Sequence, residues 1–299
     1  LWIVQFYLYN HSIFWVIGLA ILNGFLLGRI FIIQHDCGHK SFFRSRSAND
    51  VIGMISSFFT FIPYKYWAAN HNFHHAHNGQ IEHSGVGDIE CLTVEQYSQL
   101  SLVDKVKYRI YRHPLYLFTI GGFFYVAIYN RFAFLKEGVF AKVKNTVKWA
   151  NVFYAIIYLG LGYLIGFEDF FVVQLVNLFF FGTYALWFFY IQHQYETVYK
   201  SSKDNWNYVV SALKGSTYYD LPFFLHWLTG NIGYHHIHHL SPAIPNYNLK
   251  ACNEAFPVFE KYTNKVTFWH GFSSVFANLY DAEAGKMISF GEYRRRKKG

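Results

Sequence analysis

Histidines are concentrated in this chain at spacings that favour metal binding. Ten of the 16 histidines lie in three short clusters and at one further position: His35-Asp-Cys-Gly-His39, His71-Asn-Phe-His74-His75, His193 and His235-His236-Ile-His238-His239. Spacings of three and four residues place side chains on one face of a helix. Imidazole faces suit iron, zinc, copper or nickel, whereas magnesium and calcium require oxygen ligands. Three such faces that converge can hold two metal ions.

A count by helical face gives eight candidate ligands. Within the third cluster His236 lies about 100° from the face that its neighbours share, and we exclude it. Eight ligands over two ions give four each and leave open coordination positions, which suits oxygen-activating iron. His193 directly follows a long apolar segment, and the topology argued below makes it a ninth candidate. The predicted metal ligands are His35, His39, His71, His74, His75, His193, His235, His238 and His239.

The composition predicts an integral membrane protein. The 299 residues are 53% hydrophobic and only 15% charged, whereas soluble domains have about a quarter charged residues. A membrane-spanning helix needs about 20 apolar residues, and the segments 13–33, 149–167 and 170–191 satisfy this requirement. Two weaker apolar stretches, 51–63 and 115–132, are predicted to be re-entrant or interfacial.

A dimetal site restricts the topology, because all of its clusters must lie on one side of the membrane. The stretch 51–63 lies between the first two clusters and therefore cannot cross. Three apolar segments separate the second cluster from His193, so we expect 115–132 to turn back, with its Gly121-Gly122 pair bending a re-entrant hairpin. The 26 Lys and Arg residues then lie on the histidine side or close to it. By the positive-inside rule that side is the cytoplasm.

These features together predict the fold class. We expect an all-α integral membrane protein, built as a transmembrane helical bundle with a cytoplasmic histidine-rich helical cap that holds the dimetal site, plus re-entrant or interfacial segments. Residues 1–299 are expected to form a single domain. Residues 1–9 are typical of the end of an apolar segment, so an N-terminal span is expected to be truncated.

The three clusters resemble, in order and spacing, the histidine boxes of membrane fatty acid desaturases. From about residue 29 to 249 the sequence is similar to bacterial acyl-lipid desaturases of the omega-6 (delta-12) type. The similar segments are Gly87-Asp88-Ile89, His193 to Glu196, Gly230-Asn231-Ile232-Gly233-Tyr234, Leu240-Ser241-Pro242 and Ile244-Pro245-Asn246-Tyr247. The resemblance implies that the nine histidines ligate two iron ions. It also implies that O2 and two electrons are used to place a cis double bond in a fatty acyl lipid, in a bacterial inner membrane.

The resemblance also implies a separate electron donor, such as a ferredoxin or a cytochrome b5-like protein. The sequence has no glycine-rich dinucleotide motif and no fused cytochrome domain. Because an alkyl C–H bond has no useful acidity, no catalytic residue is expected beyond the metal ligands. Zinc competes for imidazole sites, so a purified sample can hold zinc. No nucleic-acid partner is expected, since no fold signal for one accompanies the basic residues.

Two other functions remain open at this point. A membrane di-iron hydroxylase or ketolase that acts on a lipid or isoprenoid can share similar boxes. A metal transporter would place polar ligands near the bilayer midplane, whereas the segments 149–167 and 170–191 contain no histidine or acidic residue. Polar residues near the clusters are candidates for hydrogen bonds to the ligand imidazoles. They are Asp36, Asn70, Asn72, Asp88, Glu196 and Asn231.

Overall fold

The computed structural model describes residues 1–297 and is dominated by helices. The α-helices of this part of the chain are α1 (Trp2–Tyr9), α2 (Ile13–Gly38), α3 (Arg46–Thr60), α4 (Tyr64–His77), α5 (Val94–Gln99), α6 (Leu102–Tyr111), α7 (Gly122–Ala127), α8 (Lys144–Ile165), α9 (Phe167–His193), α10 (Tyr208–Lys214), α11 (Phe223–Leu228), α12 (His235–Leu240), α13 (Asn246–Ala255), α14 (Val258–Tyr262), α15 (Phe268–Ser274) and α16 (Phe290–Arg296). Tyr116–Gly121 forms a π-helix, and single 3-10 turns occur at Ile81–His83, Tyr129–Arg131, Gly138–Lys142 and Lys203–Asn205.

Three helices are long and apolar enough to cross a membrane, as the sequence predicts. They are α2, α8 and α9, with 26, 22 and 27 residues. At a rise of about 1.5 Å per residue each exceeds the ~30 Å hydrocarbon layer. The Ser12 hydroxyl caps the start of α2 by accepting a hydrogen bond from the Phe14 amide. Gly166 separates α8 from α9 with a φ of 112°, a backbone conformation that favours glycine.

The chain divides into two compact units. The first comprises Leu1–Ala69 and Phe118–Leu186, and its apolar core is formed by buried side chains from α2, α4, α7 and α9 and the loop after α3. These side chains are Leu27, Ile62, Trp67, Val126, Leu178 and Phe181. A buried amide network fixes α1, since Gln5 donates to the Asn177 side chain at 3.0 Å and to the Val16 carbonyl at 3.1 Å.

The predicted re-entrant stretch 115–132 is helical through its glycine pair. Gly121 has φ −62° and ψ −46°, so the chain makes no hairpin turn there. Gly122 instead permits a close helix crossing, because a Cβ at this position would lie 2.5 Å from the Gly182 carbonyl oxygen of α9. Small residues allow this kind of backbone approach between helices in lipid.

The second unit comprises Asn70–Leu117 and Trp187–Gly299, of which the structure describes the part up to residue 297. It contains four short strands that the sequence analysis did not predict. They are β1 (Thr217–Asp220) and β2 (Asn264–Thr267), which pair in parallel, and β3 (Leu279–Asp281) and β4 (Lys286–Ile288), which pair antiparallel. Tyr97 of α5 and Tyr108 of α6 pack with Leu279 and Ile288 in its small apolar core. The protein is thus mainly helical, as predicted, with little sheet.

The glycine crossing yields a stability prediction. Gly122→Ala should destabilise the protein by about 1–3 kcal/mol, because the new methyl group meets backbone that cannot move aside. Gly160→Ala in α8 is the matched control, since nothing lies within 4 Å of a Cβ at that position. Thermal unfolding in detergent measures both. A Tm for Gly122→Ala at or above that of the control would contradict the crossing.

Candidate metal centre

Seven histidines of the second unit come together in its interior. Three lie on α4, one ends α9 and three lie on α12. Each side chain is between 1 and 6% exposed. They are His71, His74, His75, His193, His235, His238 and His239.

The first group of imidazoles combines α4 with α12. The Nε2 atoms of His71 and His75 lie 3.0 Å apart, and the Nε2 atoms of His75 and His238 are also 3.0 Å apart. The rings of His71 and His238 stack with centroids 6.1 Å apart. Three ring nitrogens from two helices therefore face one another.

The second group adds the end of α9. His193 Nε2 lies 3.2 Å from His74 Nε2 and 2.9 Å from His235 Nε2. His235 Nε2 is in turn 3.1 Å from His239 Nε2. Each of the two histidine helices thus supplies imidazoles to both groups. The groups are adjacent, since the rings of His75 and His239 stack at 4.1 Å.

Hydrogen bonding between the rings cannot account for all of these contacts. One ring nitrogen offers either a single N–H or a single lone pair, yet His75, His193 and His235 each approach two other Nε2 atoms. With metal–nitrogen bonds of about 2.1 Å, two ligands at a right angle lie about 3.0 Å apart. The observed spacing therefore fits nitrogen lone pairs that converge on cations.

Contacts outside the groups hold the imidazoles in place. His193 donates from Nδ1 to the Gly215 carbonyl at 3.2 Å, which leaves its Nε2 lone pair for the group. The neighbouring Gln192 donates to the Ile232 carbonyl at 2.8 Å. Gly87, with a φ of 70°, lies so close to α4 that a Cβ would be 2.8 Å from the Asn70 carbonyl oxygen and 3.1 Å from the His74 Cβ.

Arg112 is a buried residue that no sequence pattern identifies as functional. It is fully buried and bonds only neutral oxygens in the contacts that the structure resolves for it. Its Nη2 donates to Tyr190 Oη at 2.9 Å and to Gln194 Oε1 at 3.2 Å, which flank His193 on α9. It also donates to the Ala277 carbonyl at 2.7 Å and to the Glu90 carbonyl at 3.0 Å. Arg112 therefore fixes the turn that carries His193.

The two histidines of the first cluster belong to the first unit. His35 and His39 occupy the C-terminal end of α2, with ring centroids 4.9 Å apart. His35 donates from Nδ1 to the Asp36 carboxylate at 2.9 Å, and both side chains are buried. Asp36 thus has the contact that was predicted for it, a hydrogen bond that orients a histidine ring.

His236 and several candidates for hydrogen bonds to the ligand imidazoles make different contacts. His236 lies on a different face of α12, where its Nε2 donates to Asn253 Oδ1 at 3.2 Å. Asp88 accepts from the Ile89 amide, and Asn231 donates to the Asn246 carbonyl. Glu196 forms an exposed ion pair with Lys286 at 3.2 Å rather than contacting an imidazole.

Burial favours neutral imidazoles in this unit. Desolvation, followed by the neighbouring rings of His235 and His193, holds the pKa of His239 well below its ordinary value. Desolvation also lowers the pKa of His236 to about 4. A neutral ring is the form that binds a metal ion. Burial in the second unit therefore favours the form of His239 that can bind a metal.

Comparison with known proteins agrees with this chemistry. The family model described as fatty acid desaturase matches residues 12–271. A fatty acid desaturase of Bacillus subtilis (strain 168) is 35% identical over 290 residues, which cover 97% of this chain and 82% of that protein. The chain belongs to the fatty acid desaturase family.

Further relatives carry more specific names. An sn-1 oleoyl-lipid 12-desaturase of a Picosynechococcus strain is 29% identical over 288 residues, 92% of this chain and 79% of that protein. An sn-1 acyl-lipid omega-3 desaturase (ferredoxin) of a Nostoc strain is 26% identical over 270 residues, 85% of this chain and 69% of that protein. Membership of this family makes the protein a membrane-bound oxidoreductase rather than a metal transporter.

The Arg112 contacts lead to a second prediction. Arg112→Lys should destabilise the protein by about 2–4 kcal/mol, because one ammonium group cannot reach all four oxygens and buried acceptors lose their donors. Thermal unfolding in detergent gives the change. Arg44→Lys, at an exposed arginine of the first unit, serves as the control and should change little. Equal stability of the two variants would show that Arg112 does not fix the end of α9.

Proposed function

We propose that this chain is an O2-dependent acyl-lipid desaturase that introduces a cis double bond at a histidine-ligated di-iron centre. The proposed ligands are His35, His39, His71, His74, His75, His193, His235, His238 and His239. The main support for the proposal is the geometry of the two imidazole groups. Within each group, Nε2 atoms of neighbouring histidines lie 2.9–3.2 Å apart in the buried interior of the second unit. Family membership supports the reaction class.

Burial and hydrogen bonds of the surrounding residues prepare the imidazoles of this centre for metal binding. Iron bound there would supply the oxidising chemistry that an unactivated C–H bond demands. Burial lowers the pKa of His239 and so favours its neutral form, and the Gly215 carbonyl holds the Nδ1 proton of His193 so that Nε2 faces inward. Asp36 orients His35 in the same way. The interior position of the histidines excludes bulk water from the reacting groups.

The substrate and the electron donor are proposed from the relatives. Relatives from cyanobacterial strains are named sn-1 oleoyl-lipid 12-desaturases, which supports a lipid-linked acyl chain of the delta-12 type as substrate. Another relative is named as ferredoxin-dependent, so we propose a ferredoxin or a cytochrome b5-like protein as donor. The 26 Lys and Arg residues, which the proposed topology places on the histidine side or close to it, support a cytoplasmic histidine face. The bacterial relatives support a bacterial inner membrane.

One functional domain is proposed for the whole chain. A single family model extends from residue 12 to 271 and includes parts of both compact units. The stretches 51–63 and 115–132 are kept as re-entrant or interfacial segments. In α3, which contains most of the first stretch, Val51, Met54 and Ile55 are exposed, as expected of side chains that contact lipid.

The product test uses a host that makes saturated and monounsaturated lipids and contains an electron donor. Gas chromatography with mass spectrometry should detect a new diene in cells that express the chain. Cells with the His71→Ala variant should lack it, because one of the proposed iron ligands is removed. A hydroxylated product in place of the diene would reassign the reaction to a hydroxylase. Equal diene in the variant would contradict the ligand assignment.

Metal content provides an independent test of the site. His239→Gln should lower bound iron by about half or more, since it removes one member of the second imidazole group. His236→Gln is the matched control on the same helix and should retain the metal, because His236 bonds Asn253 instead. Elemental analysis of the purified proteins measures the iron-to-protein ratio. Equal loss in both variants would reject the assignment of these two neighbours.

A further inference from the structure

Helix α6 presents an apolar face to the outside of the second unit. Leu102, Val103, Val106 and Ile110 are 82, 63, 57 and 53% exposed. With about 100° per residue, these four positions fall within about 100° of the helix circumference. They therefore form one continuous stripe, which we call the α6 stripe.

The opposite side of α6 is fixed to the protein. Tyr108 is buried and donates to the Asn278 carbonyl at 2.9 Å, and Arg112 follows at the C-terminal end of the helix. Both positions lie roughly opposite the centre of the α6 stripe on the helical wheel. The stripe therefore points away from the core of the unit, and no rotation of the helix can bury it without breaking these contacts.

The contacts of Arg112 set the depth of α6 relative to a membrane. Arg112 bonds Tyr190 and Gln194 at the C-terminal end of α9. About 20 residues cross the ~30 Å hydrocarbon layer, and α9 has 27. The last turn of α9 therefore extends into the head-group region, and the end of α6 lies beside it at the same level.

Basic residues border the α6 stripe on both sides. Lys107 lies at one edge, and Arg109 lies at the other. Arg109 Nε donates to Tyr97 Oη at 2.7 Å and its guanidinium lies over the Phe290 ring, which leaves its Nη groups to face outward. Lys107 pairs with Asp104 at 3.1 Å, but both groups are exposed and such pairs contribute little. An apolar stripe between cationic edges is typical of a helix that lies flat in a bilayer surface. Cations near anionic head groups strengthen the attachment of such a helix.

We propose that α6 lies in the membrane interface, with the α6 stripe in the outer acyl layer and Lys107 and Arg109 at anionic lipid head groups. The helix is then a second attachment of the protein to the bilayer beside its long apolar helices. It would hold the end of α9, and with it His193, at a fixed depth through Arg112.

Spin labels measure this depth directly. Val106→Cys and Ile110→Cys are labelled with a nitroxide in the full chain carrying Cys252→Ser, because Cys37 and Cys91 are buried. Asp104→Cys, on the polar side of the same helix, is the matched control. In vesicles of equal parts phosphatidylcholine and phosphatidylglycerol, the labels at 106 and 110 should collide more with oxygen than with a nickel chelate, and the control should show the reverse.

Two other results would overturn the proposal. Nickel collisions at 106 and 110 as frequent as at 104 would place the α6 stripe in water, available to a soluble partner. Labels at 106 and 110 that are shielded from both reagents and show spin–spin broadening would place a second copy of the chain on the stripe. The labels report depth whether or not the protein turns over, so this result is independent of the proposed reaction.

The basic edge has its own test. Lys107→Glu should increase nickel collisions at position 106 in the phosphatidylglycerol vesicles, because the new carboxylate is repelled by anionic head groups. The same exchange should have little effect in vesicles of phosphatidylcholine alone. An equal response in both lipids would reject the role of Lys107 at anionic head groups.

Discussion

The close approach of histidine ring nitrogens in a buried interior is the constraint on which the second unit depends. Burial penalises the charged form of His239 and holds its pKa well below the ordinary value, yet the Nε2 atoms of neighbouring imidazoles approach one another to 2.9–3.2 Å. Hydrogen bonds alone cannot serve a nitrogen such as that of His193, whose Nδ1 proton already goes to the Gly215 carbonyl. Cations among the lone pairs would relieve this crowding. The free energy of metal binding would then also be folding free energy.

That constraint explains why tertiary contacts fix the positions of α12 and of the end of α9. Helix α12 has only six residues, too few for a stable helix on its own. Its position must therefore come from tertiary contacts, such as the bond from Gln192 to Ile232 just before it. The end of α9 is held in a comparable way by Arg112, whose buried charge is offset by hydrogen bonds from its two Nη groups to four oxygens. Rigid surroundings of this kind keep ligand nitrogens in place.

Local spacing predicts much of this arrangement, and tertiary packing decides the rest. The i, i+3, i+4 pattern identified which histidines share a helix face, and the apolar runs identified three long helices. The histidine spacing could not predict that His71 and His75 belong to one group while His74 belongs to the other. That division depends on how α4 packs against α12. Arg112 sits in a stretch typical of an exposed basic helix, and only three-dimensional contacts with Tyr190 and Ala277 distinguish it.

The direction in which a helix faces is the other property that periodicity leaves open. Helix α3 buries Asn49, Ser57 and Thr60 and exposes Val51, Met54 and Ile55, the reverse of a helix in a water-soluble protein. The buried groups are satisfied, as when Thr60 donates to Gln34 Oε1 at 2.6 Å. The same period fits either orientation, because only the surrounding solvent reverses the preference. In a lipid environment the observed orientation would be the stable one, since outward aliphatic side chains lose nothing there and inward polar groups find partners.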